Sequence, residues 1–253
     1  VLKDKWVGLK NYDRLLSDKI FLKAVWNSVK YMIGTCALLI PFPLLFASLL
    51  NSKLMKKPGF FKSIYFLPAL TSVVVAGTIF RLIFGEMDTA LANRVIEFFG
   101  HSPIKWLKGQ WTGYFALLLV ACWRWTGVNI LYFLAGLQSI STDLYEAASI
   151  DGASKWQQFK KISFPLVKPT TVYVLTISIY AGLSMFLESY MLWKGNNSPQ
   201  NIGLTIVGYL YRQGIEKRAM GYACAVGLVL LIVVMIVNLI QLTVTGTFKK
   251  EER

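Results

Sequence analysis

Between Leu144 and Pro165 the chain reads LYEAASIDGASKWQQFKKISFP, a polar stretch set between two long apolar runs. Asp143 stands three residues before Glu146, the arrangement of a capping box, and so starts a short helix carrying Leu144, Tyr145, Ala147, Ala148 and Ile150. Asp151-Gly152 ends that helix, because glycine takes the left-handed backbone that closes many helices at no steric cost. Ser154, with Gln157 three residues on, starts a second helix, and Pro165 marks the entry to the next apolar run. The pattern predicts two short helices joined by a sharp elbow. Helices this short are marginal alone and need a surface to lie against.

The flanking runs define the setting. The chain has 253 residues, of which 55% are hydrophobic and 16% charged, well below the charged fraction of about 25% in soluble domains. Five runs reach the length needed to cross a bilayer core, at about 24–50, 63–84, 113–137, 166–192 and 219–245. Pro41 and Pro43 interrupt the first, which is tolerated where neighbouring helices satisfy the freed carbonyls. The sequence is therefore that of an all-α membrane protein.

The net charge of +14 is spread through the segments between runs rather than gathered on one face. It reads as the flanking charge of membrane helices in contact with lipid, not as a nucleic-acid surface. Cys36, Cys122 and Cys224 fall in three different runs and read as buried free thiols, and His101 is the only histidine, so no His-based metal site is expected. No G-x-x-x-x-G-K-[ST] phosphate loop occurs, which leaves the chain without an ATP site of its own. A secondary transporter would want deep acidic residues and inverted repeats, and a membrane enzyme would want a His-containing or paired-carboxylate site. The sequence offers little of either.

Within the quoted stretch, Glu146-Ala147-Ala148, Asp151-Gly152-Ala153, Phe159, Ile162 and Pro165 resemble the EAA signature of ABC-importer permeases, departing at Phe164 where that family usually has Leu. WVGLKNYDRLL at 6–16, NSVKY at 27–31, YFLPAL at 65–70 and WRWTGVNILYFLAGLQSI at 123–140 resemble the maltose-permease-like, carbohydrate-uptake branch of type I importers. ESYMLW, GLTIVGYLY and the terminal GTFKKEE look most like permeases for arabinose-containing oligosaccharides.

The resemblance implies a type I importer transmembrane fold with a sixth span before Val1. It implies an extracellular-side segment 1–23, a permease domain 24–245 with cytoplasmic coupling helices at 141–163, and a cytoplasmic tail 246–253. The implied partners are a second permease subunit, two ATPase subunits that use ATP and Mg, and an extracellular sugar-binding protein. The nine signature residues would then be the ATPase-coupling set. A permease for another solute, such as a glycerol phosphate ester, is the alternative.

Polar and aromatic residues inside the runs are candidates for the substrate path. Trp125 and Asn129 share a helix face at i, i+4, as do Ser178 and Gly182 on the next run, with Tyr180 nearby. The same small and amide residues also join membrane helices to one another. Lys30 and Arg81 lie near run ends and can reach the interface. Arg124 sits near mid-depth, where even low scales charge about 2.5–3.5 kcal/mol against lipid. It is expected to face the bundle, the path or an acidic partner, and Glu188 is the intramembrane carboxylate available.

Overall fold

The computed structural model describes residues 6–52 and 55–247, and all regular structure among them is helical. Residues 1–5, most of the GTFKKEE segment and the rest of the tail lie outside the described residues.

Helix α1 (Lys10–Ser17) stops at Asp18, whose carboxylate starts α2 (Lys19–Leu39) by accepting from the Ile20 and Phe21 amides at 2.8 and 3.2 Å. The run breaks at Ile40, just before Pro41, and resumes as α3 (Pro41–Leu50). Pro43 has no N–H for the Leu39 carbonyl. That carbonyl instead accepts from Asn129 Nδ2 at 2.8 Å, across the bundle.

The second run is not one straight span. Helix α4 (Pro58–Leu70) carries Pro68 in its last turn, Thr71 is extended, and Ser72 caps α5 (Val73–Ile83) through the Val74 amide, leaving a bend of 94°. After the short α6 (Leu91–Phe98), the 29-residue α7 (Gln110–Gln138) runs through the centre of the molecule. Helices α2, α3, α4 and α5 all pack on α7. At Gly127 a Cβ would stand 1.9 Å from the Tyr65 carbonyl oxygen, so only glycine admits α4 this closely.

The elbow follows as α8 (Thr142–Ile150) and α9 (Lys155–Gln158), which continues through a π-turn at Phe159–Ser163 into α10 (Phe164–Leu166). A bend of 63° at Val167 leads into α11 (Lys168–Leu183). The run predicted at 166–192 is therefore straight only over Lys168–Leu183, and it breaks again at 184–186 before α12 (Leu187–Leu192). Helix α13 (Ile206–Tyr211) and the apolar α14 (Met220–Val244) complete the chain. Among the described residues, three helical stretches are long and apolar enough to cross a membrane, or five if each bent pair is one span.

Among the described residues the buried apolar side chains form four clusters, two of which mark the ends of the bundle. At the elbow end, Leu44, Leu50, Ile130, Phe133, Leu137 and Val167 form one cluster, with Phe159 packed against it. At the opposite end, Leu15, Phe21, Leu204, Tyr209 and Tyr222 hold α1, α2, α13 and α14 together. There Tyr209 donates to Asp18 Oδ2 at 2.6 Å, and Asn27 donates to the Asn201 and Leu204 carbonyls. Cys224, expected to be buried, is exposed on the outward surface of α14, while Cys36 and Cys122 are half-buried.

Candidate functional site

The elbow forms as the sequence predicts, with one shift in its first cap. Ser141, not Asp143, starts α8, its Oγ accepting from the Asp143 amide at 3.3 Å. Thr142 is already helical, which places Asp143 in the first turn, where the helix dipole favours its charge. Gly152 has φ +78°, and the Gly152 and Ala153 amides donate to the Ser149 and Ala148 carbonyls at 3.2 and 2.8 Å. This crossed pair is a Schellman closure. Ser154 and Gln157 then form the expected capping box, with the Ser154 amide 2.7 Å from Gln157 Oε1.

Two side chains that the sequence did not single out lock the elbow. Gln158 is buried, its Nε2 donating to Ser149 Oγ at 2.8 Å and to the Ala153 carbonyl at 3.2 Å. The hydroxyls of Tyr145 and Ser163 are 2.9 Å apart, tying α8 to the π-turn. Phe159, half-buried, stacks on Trp156 and packs against the bundle. Between α8 and α9 lies a concave surface lined by Ala148, Gly152, Ala153, Gln157, Lys161 and Ile162. Asp151 also lines it, and Glu146, Ala147 and Pro165 are exposed. Ile150 is 87% and Trp156 67% exposed, so the elbow also offers two large apolar side chains to a partner.

A Cβ on Gly152 would meet nothing within 4 Å, so the elbow's tip faces open space. A side chain there would leave the rest of the fold untouched, apart from the strain of the left-handed backbone.

The substrate-path candidates separate into three groups. Arg124 and Glu188 come together: Nη1 and Oε1 are 2.7 Å apart, and the two side chains are only 13% and 11% exposed. The guanidinium carbon also lies 5.3 Å from the Trp125 ring centre. Trp125 and Tyr180 are exposed.

Asn129, Ser178 and Gly182 are buried. Asn129 holds the Leu39 carbonyl, and a Cβ on Gly182 would stand 2.7 Å from the Met32 Cα, where α11 crosses α2. In this conformation Asn129 and Gly182 join helices, a role that amide and small residues take in membrane bundles. The signal that would have found the role of Asn129 is Pro43, which names an orphaned carbonyl four residues earlier. Arg81, half-buried in the last turn of α5, donates from Nη1 to the Met191 carbonyl at 3.4 Å.

Residues 38–245 match the family described as binding-protein-dependent transport system inner membrane component, and the chain belongs to that family, the permease subunits of ABC importers. It is 56% identical over 246 residues to the arabinooligosaccharides transport system permease protein AraP of Bacillus subtilis, covering 97% of this chain and 78% of that one. It is 30% identical to the lactose transport system permease protein LacF of Rhizobium radiobacter, over 94% of this chain and 80% of that protein. A solved bacterial ABC transporter involved in the import of the acidic polysaccharide alginate superposes with a TM-score of 0.88, covering 98% of this chain and 86% of the matched one. At 23% identity that likeness speaks to the fold alone.

Proposed function

We propose that the chain is the membrane-spanning permease subunit of an ATP-driven oligosaccharide importer, with arabinose-containing oligosaccharides as its substrate class. The observation that carries this reading is the 56% identity to AraP, sustained over 97% of the chain. In this reading the chain lines half of the translocation path. A second permease subunit lines the other half, and an extracellular sugar-binding protein delivers the substrate. ATP and Mg act in two ATPase subunits and not on this chain.

The elbow is the coupling element and faces the cytoplasm, with 141–163 docked in a groove of one ATPase. Glu146 offers a carboxylate to a basic residue there, Gly152 permits close approach, and Ala147 and Ala148 keep the helix slim. Ile150 and Trp156 supply apolar anchors. Segment 1–23 and the loops around α6 and α13 then lie on the extracellular side, and the tail from Gly246 on the cytoplasmic side.

The pairing of Arg124 with Glu188 favours a neutral substrate over an anionic one such as a glycerol phosphate ester, because the deep cation is already neutralised. The test is uptake of labelled arabinotriose by cells that express this chain with its neighbouring transport genes. Uptake lost on deletion of this chain and restored by it supports the reading. Unchanged arabinotriose uptake without it, together with loss of another solute, overturns the substrate class.

A further inference from the structure

Helix α6 is attached to the protein by the wrong face for a solvent-exposed helix. Its inward stripe is Ala92, Asn93 and Ile96, while Leu91, Val95 and Phe98, spaced i, i+4 and i+7, point outward with exposures of 63%, 57% and 86%. Phe99, just past the helix end, is 71% exposed. The polar residue is the anchor. Asn93 is fully buried, its Oδ1 accepting from Trp106 Nε1 at 2.8 Å and the Ile104 amide at 3.0 Å, while its Nδ2 donates to the Met87 carbonyl at 3.1 Å. In water this arrangement leaves three large apolar side chains solvated beside a buried amide.

The connections fix the layer in which α6 lies. Glu86, just past α5, pairs with Lys108, just before α7, at 2.7 Å, and Trp106 packs on Phe84 and Phe115 at the same two helix ends. Helix α6 is thus tied to the ends of its two neighbouring spans. Trp111, 74% exposed in the first turn of α7, is the kind of residue that marks the membrane–water boundary. In the last turn of α5, Leu82 is likewise 67% exposed. Arg94, exposed one position before Val95, flanks the apolar stripe, as cations do on helices lying in the headgroup region.

We propose that α6 is an interfacial helix, its Leu91–Val95–Phe98 stripe set into the lipid at the headgroup–acyl boundary of the leaflet opposite the elbow, with Arg94 reaching lipid phosphate. The segment between α5 and α7 is then a lipid-contact surface rather than a docking surface for protein.

The test uses the assembled transporter in nanodiscs, with Cys36, Cys122 and Cys224 replaced by alanine and a bimane label at Val95→Cys or, for comparison, at Glu97→Cys. Shallow nitroxide lipids should quench the label at 95 several-fold more strongly, relative to aqueous iodide, than the label at 97. Equal ratios at the two positions overturn the proposal. Protection at 95 from both quenchers also overturns it, because a protein then covers the face. A photoreactive benzoylphenylalanine at Phe98, in a chain with its native cysteines and in native membranes, gives an independent reading. Adducts with phospholipid are expected, and adducts confined to protein are the contrary result.

Discussion

Arg124 on α7 and Glu188 on α12 are joined by a 2.7 Å ion pair, 64 residues apart in sequence and nearly closed off from solvent. The partner lies in the first turn of a half-helix that begins only because the span breaks at 184–186. A straight helix through that region would set Glu188 on a different side and depth.

Removing one member of this pair leaves the other charge buried. Arg124→Met or Glu188→Gln alone should therefore destabilise the protein by about 3–5 kcal/mol, while the double replacement Arg124→Met/Glu188→Leu recovers most of that loss. Thermal melting of the purified complex checks this, and a double variant no better than the worse single one contradicts it. If the pair also guides the transport cycle, the stable double variant will have lost uptake.

Gly127 lies where the backbone of α4 meets α7, and the obstacle to a side chain is a carbonyl group rather than a movable side chain. Gly127→Ala should cost roughly 1–3 kcal/mol or more, through forced separation of the two helices. Gly152→Asn, in open space and with a residue that tolerates positive φ, should leave the melting temperature nearly unchanged. Equal effects at the two glycines would contradict the geometry.

Gln158→Leu removes the elbow's buried lock and leaves Ser149 and the Ala153 carbonyl short of a donor, costing about 1–3 kcal/mol locally. The loss should appear as faster hydrogen exchange confined to 142–166, with the bundle unchanged. On the proposed function, sugar-stimulated ATP hydrolysis falls in the same variant, whereas Tyr145→Phe, which keeps the ring, gives a smaller effect on both readings.

Asp18 carries a pH dependence. Burial pushes its carboxyl up, but hydrogen bonds from Tyr209, from the Phe21 and Ile20 amides and from Tyr222 outweigh this and hold it below the ordinary 3.8. The folded protein thus binds a proton here less readily than the unfolded chain. The contribution to stability is complete above pH 3.8 and fades as pH falls through the lowered folded value. Melting curves of the native protein and Asp18→Asn should differ at neutral pH and converge in strong acid. A constant gap across that range would contradict this.

The elbow was legible because its determinants are local: Ser154 with Gln157, and a glycine placed where the chain must turn left-handed. The inward orientation of Arg124 followed from the cost of a charge in lipid, independent of any contact. Gln158, Tyr145 and Asn93 were not legible, since each acts through the partner brought to it by folding and carries no spacing signal of its own. Trp125 and Asn129 are spaced i, i+4, but spacing within one helix says nothing of a carbonyl freed on another. The break in the second run, read from sequence as one span over 63–84, was missed: Pro68 and Ser72 could have signalled it, while its 94° angle comes with packing on α7 and α12.

The bond from Asn129 to the Leu39 carbonyl gives two distant positions a shared history. A relative that replaces Pro43 regains an amide for that carbonyl and no longer needs the asparagine, whereas one that loses Asn129 first passes through a chain with an unsatisfied carbonyl in its core. Proline at 43 and an amide side chain at 129 should therefore be inherited as a couple, with the proline the first to be lost and the last to be gained.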